Sequence, residues 1–170
     1  MLQPGLEGEV ALHGLEIRVA RPGDVAKLRT LVGAFREHLR VGAPADAELD
    51  TLLPRLLADS AIEFAWAELE GDLVGYTQTR FFASLWASGL EALLEDLFVL
   101  PHARGRAIGR SLLRHAMQRA RERGARVLGL TTNERNTAAQ ELYRSEGLEP
   151  QSAKLWEKGR EIRWVVELGS

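Results

Sequence analysis

Apolar and polar residues change their spacing several times along the chain, and each change marks an element. Leu15, Ile17 and Val19 alternate with Glu16 and Arg18, the two-residue period of a half-buried strand, and Arg21-Pro22-Gly23 ends it. Asp24 is placed to cap a helix in which Leu28, Leu31, Val32, Phe35 and Leu39 recur at helical spacing as far as Arg40, before Gly42 and Pro44. A shorter helix fits 46–58, with Leu49, Leu52, Leu53, Leu56 and Leu57 on one side and Pro54 as a site for a kink. This helix pair is expected to form a substrate wall. Ile62, Phe64 and Trp66 alternate up to Glu68, and the turn Leu69-Glu70-Gly71-Asp72 leads into a second strand over 73–81, an antiparallel hairpin. Residues 82–89, with Ser84 and Trp86, read as an aromatic loop that either lines a ligand pocket or is pinned by one buried tryptophan.

The second half opens on an apolar strand over 93–100, followed by Arg104-Gly105-Arg106-Ala107-Ile108-Gly109. From Ile108 onward Leu112, Leu113, Ala116, Met117 and Ala120 keep helical spacing until Gly124. A short strand over 126–131 follows, and a strand–helix–strand crossover puts it parallel to 93–100. Asn136 can cap a helix over 137–146 that Gly147 ends, and residues 151–157 and 161–168 pair as a final hairpin around Lys158-Gly159-Arg160. Residues 1–14, with Pro4, Gly5, Gly8 and Gly14, form a loosely ordered lead-in. The expected class is therefore α/β (α+β): a single domain over 15–168 with a mixed, mostly antiparallel sheet of about seven strands, helices on both faces and one parallel strand pair.

Composition narrows the chemistry. With 170 residues, 45% hydrophobic and 27% charged, the chain is an ordinary globular domain, and a net charge of −2 argues against a general nucleic-acid or anionic-membrane binder. The absence of cysteine removes disulfides, thiolate metal sites and a covalent thiol nucleophile. No basic-then-apolar leader and no long apolar run is present, so the cytoplasm is the expected location. The four histidines His13, His38, His102 and His115 have no metal-ligand spacing, and no metal is expected.

The turn at 104–109 suits an anion. The first N–H groups of a helix lack intrahelical partners and carry the positive end of its dipole, so main chain alone can hold a phosphate there. Gly105 and Gly109 permit close approach, and Arg104, Arg106 and Arg110 add positive charge. A bare glycine-containing helix entrance has the same look.

Two motifs in order carry a more specific resemblance. Arg104–Gly109 is similar to the Arg-x-x-Gly-x-Gly/Ala turn of the GCN5-related N-acetyltransferase (GNAT) family, and Asn136-Thr137-Ala138-Ala139-Gln140-Glu141-Leu142-Tyr143 resembles its second signature, followed by Gly147 and Leu148. The resemblance implies acetyl-CoA as co-substrate and a splay of the parallel strand pair at the acyl-CoA site. It further implies that main chain of Leu97, Phe98 and Val99 holds the acetyl and pantetheine part. On the same reading, Arg104, Gly105, Arg106, Ala107, Ile108, Gly109 and Arg110 hold the pyrophosphate, and Asn136 and Ala139 flank the pantetheine arm. The family usually has glycine where this chain has Ala107, which is tolerated if the local φ is negative. Leu94-Glu95-Asp96-Leu97-Phe98-Val99 looks most like the diamine and polyamine acetyltransferases.

Acyl transfer to an amine needs a base, a donor for the developing oxyanion and an acid for the leaving thiolate. Glu95, sharing a strand face with Leu93, Leu97 and Val99, is the first candidate base, and Asp96, on the face of Leu94 and Phe98, is the second. Either acid could instead be a solvated strand carboxylate. Val99 N–H is the candidate oxyanion donor. Tyr143, a phenol of pKa about 10, suits protonation of the thiolate, although it could equally be a core residue. Asn136 could be a helix cap alone. The expected activity is acetylation of a primary amine of a small molecule or polyamine. Acetylation of a protein N-terminus or lysine, and a non-catalytic acyl-CoA binding module, are the alternatives. The resemblance also implies a homodimer formed through the final hairpin.

Overall fold

The computed structural model describes residues 12–156 and 159–169, without the side chains of 152–156. Most of the expected lead-in (1–11) and the tip of the last hairpin (157–158) lie outside the described residues. The elements follow in the order β1 (Leu15–Val19), α1 (Val25–Leu39), α2 (Asp46–Ala58), β2 (Ile62–Leu69), β3 (Asp72–Ser84), β4 (Gly89–Val99), α3 (Ile108–Glu122), β5 (Ala125–Asn133), α4 (Thr137–Ser145), β6 (Glu149–Trp156) and β7 (Gly159–Glu167). The seven strands form one sheet in the order β1-β2-β3-β4-β5-β7-β6. Every neighbouring pair is antiparallel except β4 and β5, the parallel pair that the crossover through α3 demands.

Each face of the sheet is covered by two helices. Leu28 and Leu31 of α1 and Leu49 and Leu53 of α2 pack on Phe64, Trp66, Tyr76 and Phe98. On the other face Leu113, Ala116 and Met117 of α3 and Tyr143 of α4 pack on Ala92, Leu94, Leu128, Leu130 and Trp164. Burial of each such leucine contributes about 1.5–3 kcal/mol, so these two layers hold the sheet rigid between them. α2 buries a narrower stripe than its leucine spacing suggested, since Leu52 is 42% exposed while Leu49 and Leu53 are buried. Asp24 does precede α1, but its carboxylate accepts from Arg21 N–H at 2.8 Å and makes no bond to the helix.

Two expectations are corrected in the central hairpin. The loop placed over 82–89 is a short turn, because β3 runs on to Ser84 and β4 begins at Gly89. Its tip carries Leu85 at 85% and Trp86 at 94% exposure, so the tryptophan neither lines a pocket nor pins a loop. The second correction is a β-bulge. Gln78 pairs with Asp96 and Thr79 with Leu94, leaving Glu95 as the extra residue in β4. An inserted residue exchanges the faces of everything after it. Leu94, Leu97 and Val99 therefore all belong to the α3 side, whereas Phe98 packs under α1. Glu95 does not share a regular face with Leu97 and Val99, and Asp96 does not share one with Leu94.

Candidate functional site

The parallel ladder stops halfway. β4 and β5 are paired from Leu90↔Ala125 to Leu94↔Leu130, but β4 continues to Val99 and β5 to Asn133, where Thr131, Thr132 and Asn133 pair with β7 alone. The splay opens a cleft of about 1080 Å³. Leu100 N–H bonds Val74 O at 2.9 Å. Antiparallel pairs alternate between bonded and non-bonded positions, so Leu97 and Val99, paired with Thr77 and Gly75, turn their own N–H and C=O away from β3 into that cleft. Close packing sets this edge: a Cβ on Gly75 would lie 2.5 Å from Phe98 O, so only glycine fits opposite Val99.

Arg104, Gly105 and Ala107 of the turn and the start of α3 border the same opening. The first main-chain bond into the helix is Ser111 N–H to Ala107 O at 3.1 Å, which leaves the N–H groups of Ile108, Gly109 and Arg110 without intrahelical partners. Gly105 has φ +77° and Ala107 φ +57°. The condition for easy tolerance of Ala107, a negative φ, is not met: this residue is the left-handed cap of α3, where a β-carbon costs about 1 kcal/mol. A Cβ on Gly109 would meet Leu97, Val99 and Leu142 at 3.7–3.9 Å, ordinary contact distances, so packing alone does not demand glycine there. The three arginines divide. Arg104 Nε donates to Val99 O at 3.0 Å and its Nη2 lies 3.2 Å from His38 Nε2. Arg110 pairs with Glu146 at 3.1 Å and donates to Ser145 Oγ. Arg106 is exposed and has no such tie among the described residues. Further along α3, Arg119 grips Glu63 through two bonds of 2.9 Å, and Arg114 holds Glu146 at 2.7 Å.

The carboxylates also divide. Glu95, the extra residue of the bulge, lines the cleft with its side chain about 26% exposed, pairs with Arg80 at 2.8 Å and accepts from Gln78. Asp96 is the shielded one and accepts from Tyr76 Oη at 2.9 Å. Burial raises its carboxyl above the usual range, the tyrosine bond pulls the other way, and neighbouring Glu95 adds to the rise. Tyr76 itself is pushed far up by burial and by the adjoining carboxylate. Across the cleft, Tyr143 is 7% exposed with its ring 6.1 Å from that of Trp164, and burial pushes its phenol up to about 12. Asn136 does cap α4, its Oδ1 accepting from Ala139 N–H at 3.2 Å, and both residues also border the cleft.

Several lining residues were not singled out from sequence. Phe35, His38 and Leu39 of α1 form one wall of the cleft, with His38 beside Arg104 of the turn, whereas α2 contributes no lining side chain. Their spacing of three and four on one helix was a usable signal, but it reads equally as core. Thr131, Thr132 and Glu161 enter because β5 outruns its partner, a tertiary event without a local pattern.

Comparison with known proteins agrees with this geometry. Residues 31–148 match the model of the acetyltransferase (GNAT) family. The chain is 33% identical over 135 residues to the uncharacterized N-acetyltransferase YhfO of Bacillus subtilis, covering 79% of this chain and 90% of that protein. It is 34% identical to streptothricin acetyltransferase of Streptomyces lavendulae, over 79% of this chain and 82% of the relative. Among solved structures, an aminoglycoside acetyltransferase from a soil metagenomic sample superposes with a TM-score of 0.74 at 21% identity, covering 87% and 97% of the two chains. A left-handed helix cap beside a half-opened parallel strand pair and a second motif packed against it thus have a common explanation: the chain is an acetyl-transferring enzyme and belongs to the GNAT family.

Proposed function

We propose that this enzyme transfers an acetyl group from acetyl-CoA to a primary amine of a small molecule, by direct attack with both substrates bound. The observation that carries the reading is the unpaired edge of β4, which turns the Val99 N–H into a cleft bordered by a helix N-terminus and by Tyr143. Donors that no strand satisfies are suited to an acyl oxygen on which charge develops. The N–H groups of Ile108, Gly109 and Arg110, with the side chain of Arg106, suit the pyrophosphate. The amide NH2 of Asn136, left over once its oxygen has capped α4, suits the polar pantetheine arm.

In this mechanism the amine nitrogen forms a bond to the acyl carbon, the carbon–sulfur bond breaks, the amine proton passes to Asp96 and the thiolate takes a proton from Tyr143. Asp96 is preferred to Glu95 because shielding has raised its basicity, whereas Glu95 is already ion-paired with Arg80. A phenol held up at about 12 stays protonated through neutral pH and is available as the acid. The acceptor is read as a small amine because α1 walls the cleft with Phe35, His38 and Leu39, and because one relative is named for streptothricin. The diamine or polyamine version rests on the 94–99 string alone.

A panel of small amines, diamines and lysine peptides incubated with acetyl-CoA, with free thiol as readout, tests this. Thiol release with small amines is expected. Release only with peptides would reassign the acceptor, and binding of CoA without release for any amine would leave a binding module.

A further inference from the structure

The side chain of Arg104 would be read from its motif as a phosphate ligand, yet three parts of the protein already hold it. Its Nε donates to Val99 O at 3.0 Å, its Nη2 meets His38 Nε2 at 3.2 Å, and its guanidinium carbon stands 5.9 Å from the centre of the Phe98 ring. The Val99 carbonyl needs such a partner. It points away from β3, on the side where β5 has already diverged, so no strand N–H reaches it. A shielded carbonyl without a donor is costly, and Arg104 replaces the missing strand.

The grip has a consequence one bond further on. The peptide joining Val99 to Leu100 is fixed at both ends, its oxygen by Arg104 and its N–H by Val74 O at 2.9 Å. In an extended residue the N–H and C=O point to the same side, so a Val99 carbonyl held on the cleft side by Arg104 keeps the Val99 N–H turned into the cleft with it. His38 ties the same guanidinium to α1, the acceptor-side wall.

We infer that Arg104 is a positioning residue: it acts through Val99, aiming the oxyanion donor and joining the donor turn to the acceptor wall, and is not a pyrophosphate ligand. The inference rests on the acetyl-CoA reading given above. If that reading is wrong the unaltered protein releases no thiol, so failure of Arg104 is judged only against an active parent.

The test compares Arg104→Ala and Arg104→Gln with the parent on two acyl donors, acetyl-CoA and S-acetyl-pantetheine, which lacks the pyrophosphate. Misdirected catalytic groups cost roughly 10- to 100-fold in rate, so Arg104→Ala should lose about that much kcat with both donors. Arg104→Gln keeps a neutral N–H donor for the Val99 carbonyl and should recover a large part of the loss. The dissociation constant for CoA, measured by calorimetry, should stay within about threefold of the parent, since no phosphate contact is removed. In the ligand-free protein, the Val99 carbonyl-carbon and Leu100 amide-nitrogen NMR signals should move in Arg104→Ala and move less in Arg104→Gln. A CoA dissociation constant raised more than about tenfold in both variants, with turnover of S-acetyl-pantetheine untouched, would overturn the inference and make Arg104 a phosphate ligand. Turnover unchanged in both variants would overturn it as well. Should Arg104→Ala fail to fold, Arg104→Gln on the two donors still separates the outcomes.

Discussion

The two halves of β4 have the same backbone and opposite duties. From Leu90 to Leu94 the strand is paired on both edges, to β3 and to β5, and its inward side chains are core. From Glu95 to Val99 it is paired on one edge only, and its free N–H groups, its two acids and its neighbouring turn line the cleft. A bulge at Glu95 sits at the boundary. Full pairing gives rigidity and leaves nothing for a ligand, while half-pairing gives donors to a ligand and must be braced from outside the ladder.

Substitutions in the two halves should therefore fail in different ways. The largest kinetic effect is expected across the open half: Tyr143→Phe should lower kcat about 100-fold or more while CoA binding, followed by calorimetry, stays near the parent value. Unchanged turnover would remove Tyr143 from the chemistry.

Asp96→Asn should cost roughly 10- to 100-fold in kcat. Its stability should move the other way. The folded-state pKa of Asp96 is raised, so its contribution is present at low pH and lost as pH rises through that value. At neutral pH the ionised form therefore opposes folding, and the variant, which still accepts from Tyr76, should melt no lower than the parent there and lose its advantage in acid. For the same reason the parent's rate should fall with decreasing pH at a point above the usual aspartate range, about 3.9. By contrast Glu95→Gln should change kcat less than about threefold, since its carboxylate is screened and paired. An Asp96→Asn variant as active as Glu95→Gln would reverse the assignment.

In the closed half, Leu128→Ala opens a cavity opposite Ala92 and should cost about 2–5 kcal/mol in denaturant unfolding, with kcat of the folded fraction unchanged. Loss of kcat without loss of stability would break the comparison. The smallest effect is expected at the cap: Ala107→Gly relieves a left-handed β-carbon and should stabilise by about 1 kcal/mol or less, read as a rise in melting temperature.

The elements and their order were legible because each carries its period: alternation in β1 and β2, helical recurrence in α3. The site was legible where it depends on local main chain, as in the entrance to α3 and the cap at Asn136. It was illegible where one residue changes the register. Nothing in Leu-Leu-Glu-Asp-Leu announces that Glu95 is inserted, yet that insertion takes Glu95 off the face of Leu97 and Val99 and leaves Asp96 beside Tyr76. Nor does the turn announce the sign of φ at Ala107, which tertiary closure sets against the preference of alanine. The partner of Arg104 was hidden for a similar reason, because it depends on where β5 leaves β4.

One carboxylate joins what the two motifs supply separately. The Glu146 side chain, 8% exposed, is held at once by Arg110 at 3.1 Å and Arg114 at 2.7 Å, so the end of α4 is tied to the first turns of α3. Local opening of either helix must then break the same contacts, so the two are expected to open together in amide exchange. A ligand that orders the start of α3 should slow exchange along α4, the helix that carries Tyr143.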